Sequence, residues 1–166
     1  MLNPPVIPLI KNRTSNVANG TVTLDLAVGQ QILAGLENYD SLLVLINVTN
    51  AGAATGTVNI YIEDSWDSGV TWDDLISSKA ITLGSTTGAQ RFAVQGRAAA
   101  AGHTGTTITA LDQGSAPTQE SMSAGSARQG PFGDRIRIRE KVSGASGSPS
   151  GCVYSIHVVP MRSSLR

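Results

Sequence analysis

The chain has 166 residues, a length that suits one domain with a sizeable core. Twelve Lys and Arg balance twelve Asp and Glu to a formal charge of zero, and charged residues make up 14% of the chain, against ~25% in an ordinary soluble domain. That balance argues against nucleic-acid binding through bulk charge, the single cysteine excludes an internal disulfide, and the small uncharged residues that replace charge fit a surface covered in an assembly.

Residues 1–19 read as an extended N-terminal arm. Pro4, Pro5 and Pro8 remove backbone donors and favour extended geometry, so a helix is excluded there. The apolar residues of the arm, Leu2, Val6, Ile7, Leu9 and Ile10, need a surface to cover, on their own domain or on a neighbour; we expect them to contact a partner. The first residues lack a basic region, and no stretch approaches the ~20 apolar residues of a membrane span, so neither a secretory signal nor a membrane segment is expected.

Period-two patterning begins at Gly20, with Val22, Leu24 and Leu26 alternating with polar residues. Residues 30–36 have room for a turn or two of helix at most. Residues 41–49 (SLLVLINVT) form a continuous apolar run, which predicts a central strand covered on both sides. Val58, Ile60 and Ile62 alternate with Asn59, Tyr61 and Glu63 in the next strand, and shorter strands are expected over 72–76, 80–83, 90–95 and 106–111. Residues 134–142 (DRIRIREKV) alternate along a strand, and 152–159 (CVYSIHVV) complete the set, with Cys152 as a small buried hydrophobe. The segment 96–133 is rich in Gly, Ala, Ser and Thr and nearly free of large apolar residues, so it reads as a long surface insertion or a reaching loop. The expected fold is all-β: an antiparallel β-sandwich or jelly-roll-like barrel over residues 20–160, followed by a short tail, 161–166.

The stretch SWDSGVTW, from Ser65 to Trp72, fits S-x-D-x-G-x-T-W and resembles the Asp-box of sialidases and related β-propellers. A propeller needs several blades of ~40–50 residues each, and neither a second box nor a repeat of that period occurs here. The residues themselves describe a hairpin turn. Asp67 can accept backbone donors, Gly69 can supply a positive φ, and Ser65, Thr71 and Trp72 flank the turn, with the indole placed to cover it. Trp66 occupies the variable position and is a candidate partner contact.

No catalytic set stands out. His103 lies in the long segment, and His157 shares its strand parity with Val153 and Val159; no G-x-S-x-G elbow accompanies the serines. The carboxylates around the box miss the calcium-loop pattern, and one cysteine cannot build a structural zinc site. We expect no enzyme activity, cofactor or metal. The basic strand is more informative, because Arg135, Arg137, Arg139 and Lys141 fall on one face at ~7 Å intervals. Such a ladder repels itself unless carboxylates lie alongside. Glu63 or Asp25 on a neighbouring strand could supply them; alternatively the face meets an acidic partner.

Two segments together, VNIYIEDSWDSGVTWDDL and DRIRIREKVSGASGSPSGCVYSIHVV, resemble small β-sandwich structural proteins of tailed bacteriophages. The resemblance covers about 42–75 and 134–159. It implies a virion component assembled in the host cytoplasm. The first expectation is a head decoration (cement) protein on the capsid exterior, bound to the major capsid protein and forming a small oligomer, with a trimer favoured. A neck, tail or fibre accessory is the second, and a carbohydrate-binding module that stacks a surface glycan on Trp66 is the third.

Overall fold

The computed structural model describes residues 6–16, 18–26, 32–34, 39–95, 120–128, 133–146 and 151–161. Within them are eleven strands and no helix: β1 (Ile7–Thr14), β2 (Gly20–Thr23), β3 (Ile32–Ala34), β4 (Ser41–Asn50), β5 (Thr55–Ser65), β6 (Asp73–Ser77), β7 (Ile81–Thr82), β8 (Gly88–Gln95), β9 (Ser126–Ala127), β10 (Arg135–Ser146) and β11 (Val153–Met161).

The strands form two antiparallel sheets. The first has the order β1-β11-β4-β8, and the second β2-β10-β5-β6-β9. β3 pairs with β10 beyond the end of β2, and β7 pairs with β5 beyond β6, so each of these pairs acts as one interrupted strand. Counted that way, the two sheets hold the eight strands of a jelly roll, with β9 added at an edge. The arrangement follows from period-two patterning. Leu42, Val44, Ile46 and Val48 of β4, Val58, Ile60 and Ile62 of β5, Ile136 and Ile138 of β10, and Ile156 and Val158 of β11 all bury between the layers.

Strand directions fix the two ends of the sandwich. The β4–β5 turn (51–54) lies at one end, beside the start of β11 and the end of β1. The β5–β6 hairpin lies at the other end, with the start of β1, the start of β4, the end of β8, the start of β10 and the end of β11.

Several expectations are corrected. Residues 7–14 are a strand of the sandwich rather than an arm: β1 pairs with β11, and Leu9 and Ile10 bury in the chain's own core. The strand tolerates Pro8 because it lies at the sheet edge, and its register slips twice, so that consecutive residues both face inward. Leu9 and Ile10 are therefore not partner contacts. Ile7 is half-buried and packs against the core, while Val6 stands 60% exposed just before the strand; Leu2 lies outside the described residues. Residues 32–34 are strand, not helical turn. β4 is covered fully on one face only, since Leu43 and Leu45 are half-buried on the outer one. The strand expected over 106–111 lies outside the described residues. Of the long segment 96–133, residues 120–128 and 133 are described, and they return to the protein's own second sheet.

Candidate interaction surface

The hairpin between β5 and β6 is built on one carboxylate. Asp67 Oδ1 accepts the Thr71 N–H (2.7 Å), the Val70 N–H (3.0 Å) and the Ser65 hydroxyl (2.8 Å), and Oδ2 accepts the Thr71 hydroxyl (2.7 Å). Ser65 Oγ in turn accepts the Gly69 N–H at 2.8 Å. Ser68 and Gly69 both have positive φ, 62° and 95°, so the chain reverses through two left-handed residues, and glycine takes the second at no steric cost. Trp72 Nε1–H donates to the Gly69 carbonyl at 3.0 Å, and its ring is buried beneath Arg137, whose guanidinium lies 4.4 Å from the ring centroid. The N–H groups of Gly69, Val70 and Thr71 are thus taken up within the turn itself, with no ligand required.

The backbone N–H of Thr71 and its hydroxyl, with smaller help from Ser65 and Val70, hold the Asp67 carboxyl at about 2 against the opposing effect of desolvation. A carboxyl depressed in the folded state stabilises above its unfolded value of ~3.9, and that contribution is lost as pH falls through the folded value. Both tryptophans of the chain, Trp66 and Trp72, belong to this hairpin, so indole fluorescence reports on it directly. We expect the emission of the folded protein to hold steady from neutral pH through 3.9 and to change only on approach to pH 2. Asp67→Ala should show the altered emission already at neutral pH; a wild-type midpoint near 3.9 would contradict this role for Asp67.

The stapled turn leaves two apolar side chains in solvent, Trp66 at 51% and Val70 at 80% exposure. With Val6 these are the exposed large hydrophobic residues among those described, and all three lie at the same end of the sandwich.

The outer face of β10 carries the expected basic ladder, and the chain neutralises it from within. Arg137 Nε donates to Glu63 Oε2 at 2.5 Å, and Arg139 Nη1 reaches Glu63 Oε1 at 3.4 Å. Arg139 Nη2 and Lys141 Nζ hold the two oxygens of Glu120 at 2.8 and 2.9 Å, and Arg135 pairs with Asp134 at 3.4 Å. Arg135, Arg137, Arg139 and Lys141 are therefore not a bare cationic surface. Glu63 fills the expected role, Asp25 is exposed outside these pairs, and Glu120 supplies the second carboxylate. Burial pushes the Glu63 carboxyl up, against the pull of Arg137 and Arg139. Burial also opposes the charge of Glu120, but hydrogen bonds from Lys141 and Thr21 and the charge of Arg139 prevail, and its carboxyl lies below the ordinary range.

Residues 120–128 are strapped over this sheet. Asp74 accepts the backbone N–H groups of Glu120, Ser121 and Met122 at 3.1, 2.8 and 2.9 Å. Arg128 pairs with buried Asp64 (2.5 Å) and with Asp73 (3.8 Å), and the Gly133 N–H donates to Asp64 at 2.8 Å. Gly133 passes so close to the Ser65 backbone that a Cβ there would sit 1.8 Å from the Ser65 carbonyl oxygen.

A second polar group lies inside the sandwich. Glu140 shares the inward parity of Ile136, Ile138 and Val142 and is fully buried. Its carboxylate accepts the Tyr154 hydroxyl at 2.5 Å and the Asn16 N–H at 2.9 Å, and Arg13 Nε lies 3.5 Å away. Burial and the adjacent carboxylate push the Tyr154 phenol well above its usual range, so it remains a proton donor. The signal was present in the pattern I-x-I-x-E-x-V, a carboxylate in an otherwise apolar stripe. His157 is half-buried in β11, and Cys152 is buried. Among the described residues no group of three metal-ligating side chains converges, and no helix is long and apolar enough to cross a membrane.

Fold and surface together define a jelly-roll β-sandwich with a stapled, apolar-tipped hairpin at one end and a self-neutralised basic sheet face. Comparison with protein-family models, with curated proteins and with solved structures finds no match for the chain.

Proposed function

We propose that the chain is a structural component of a tailed-bacteriophage virion, a head decoration protein that seats on the major capsid lattice by its hairpin end. The observation that carries this reading is the collection of Val6, Trp66 and Val70 at one end of the sandwich, two of them on a turn held rigid by Asp67. Exposed apolar side chains on a preorganised turn lose little freedom on docking, so their burial contributes to affinity with a small entropic cost. The two sequence segments that resemble phage sandwich proteins support it too, since they contain the hairpin and the strand beside it. The low content of charge fits a surface largely covered by neighbours. A small oligomer, such as a trimer around a lattice axis, would present several hairpins at once.

Quantitative mass spectrometry of purified particles of the phage that encodes the chain tests this. We expect a copy number that matches the capsid lattice. A copy number that matches a single portal or tail ring would replace decoration with a neck or tail role, and absence from the particle would remove the virion reading. Glycan binding that is lost in Trp66→Ala would instead support a carbohydrate-binding module.

A further inference from the structure

The site on β10 that holds Glu120 is built for a carboxylate, yet its occupant is not carried by the sheet. Arg139 and Lys141 project from a central strand, and Thr21 on β2 is the cross-strand partner of Lys141. Glu63, the other carboxylate of the face, is fully buried on β5, so it cannot leave without dismantling the sheet. Glu120 belongs to the strap instead. Residues 125–128 are fixed to the sheet by β9, by backbone bonds to β6 and by Arg128 on Asp64, whereas Glu120 is held only through its own side chain and the Asp74 carboxylate, and its backbone adopts a left-handed φ of 65°, strained for a non-glycine residue. Each of its carboxylate oxygens takes one cation, Oε1 from Arg139 and Oε2 from Lys141. A tethered anion of this kind competes as an intramolecular ligand, with an effective concentration set by its tether. An outside chain with several carboxylates in a row can displace it.

We propose that Arg139, Lys141 and Thr21 form a docking site for the carboxylate side chains of an acidic protein segment, and that Glu120 occupies this site in the isolated protein as a built-in competitor. The inference rests on the sheet face alone and is independent of the virion reading. The resident ligand is a carboxylate held by two separate cations, which favours an acidic peptide over nucleic acid.

The test is titration of a labelled hexaglutamate peptide into the purified protein at low ionic strength. Wild type should bind weakly. Glu120→Gln, which removes the competing charge and keeps the shape, should bind about two- to fivefold tighter, the scale of one partly exposed ion pair. Adding Lys141→Gln should abolish that gain, and thermal melting checks that each variant is folded. In the wild-type protein, saturating hexaglutamate should also speed amide exchange at residues 120–122, whose N–H groups are held by Asp74. Equal binding by wild type and Glu120→Gln, a gain that survives Lys141→Gln, or exchange at 120–122 that the peptide leaves unchanged would each overturn the proposal. So would a larger gain for a single-stranded oligonucleotide of matching charge than for the peptide.

Discussion

Glu140→Ala is expected to destabilise the sandwich by about 3 kcal/mol, a fall of about 6–12 °C in melting temperature for a domain of this size. Glu140 gathers three donors from two other parts of the chain: Tyr154 on β11, Arg13 on β1 and the Asn16 backbone just after β1. Alanine leaves the buried phenol without an acceptor. It also removes one of the holds on the end of β1, an edge strand whose register is already interrupted twice, leaving the pairing with β11 and the bonds between Ser15 and Cys152. Arg13 is 35% exposed and can turn to water, so most of the loss falls on Tyr154 and on the docking of the strand. Tyr154→Phe alone should cost less, about 1–2 kcal/mol, because the carboxylate keeps its other two donors. Since the two side chains share one interaction, the double variant should lose less than the sum of the single losses. Denaturant unfolding of the four proteins measures this. A Glu140→Ala variant as stable as wild type would show that the cluster contributes nothing to the fold.

The sandwich was legible because its central strands alternate cleanly. Val58, Ile60 and Ile62, and again Ile136 and Ile138, mark one buried face each, and the box between β5 and β6 announced its turn through Asp67 and Gly69. β1 was obscured by Pro8 within it and Pro4 and Pro5 just before it, a pattern that suits an arm as well as an edge strand. Only the pairing with β11, residues far away in the chain, decides between them. The strap was hidden for the same reason. Asp74 and Glu120 are 46 positions apart, and Arg128 and Asp64 are 64 apart, so no local pattern links them. Glu140 was within reach, because its parity could be read from the strand alone; its partners on β1 and β11 could not. The ladder of Arg135, Arg137, Arg139 and Lys141 was visible as a row of cations, but whether it faced a partner or its own chain depended on Glu63 and Glu120, and the structure brings both to it.

The second large effect concerns binding rather than folding. The side chains of Trp66 and Val70 make none of the turn's hydrogen bonds, and the Val70 N–H that donates to Asp67 survives substitution, so Trp66→Ala/Val70→Ser should leave the fold and the Asp67 staple intact. If this end seats on the capsid, the tryptophan is the anchor of the contact, and its loss with that of Val70 should cost about 2 kcal/mol or more, roughly thirtyfold in affinity. The effect grows where several copies bind together, since each lost contact also weakens the cooperative hold of the oligomer. The direct measurement is co-sedimentation of the wild-type protein and of this double variant with capsids assembled from the major capsid protein of the same phage. Wild type is expected to saturate the capsids while the folded variant remains in the supernatant at the same concentration. Wild-type protein that stays in the supernatant, or a variant that binds as well as wild type, would contradict it.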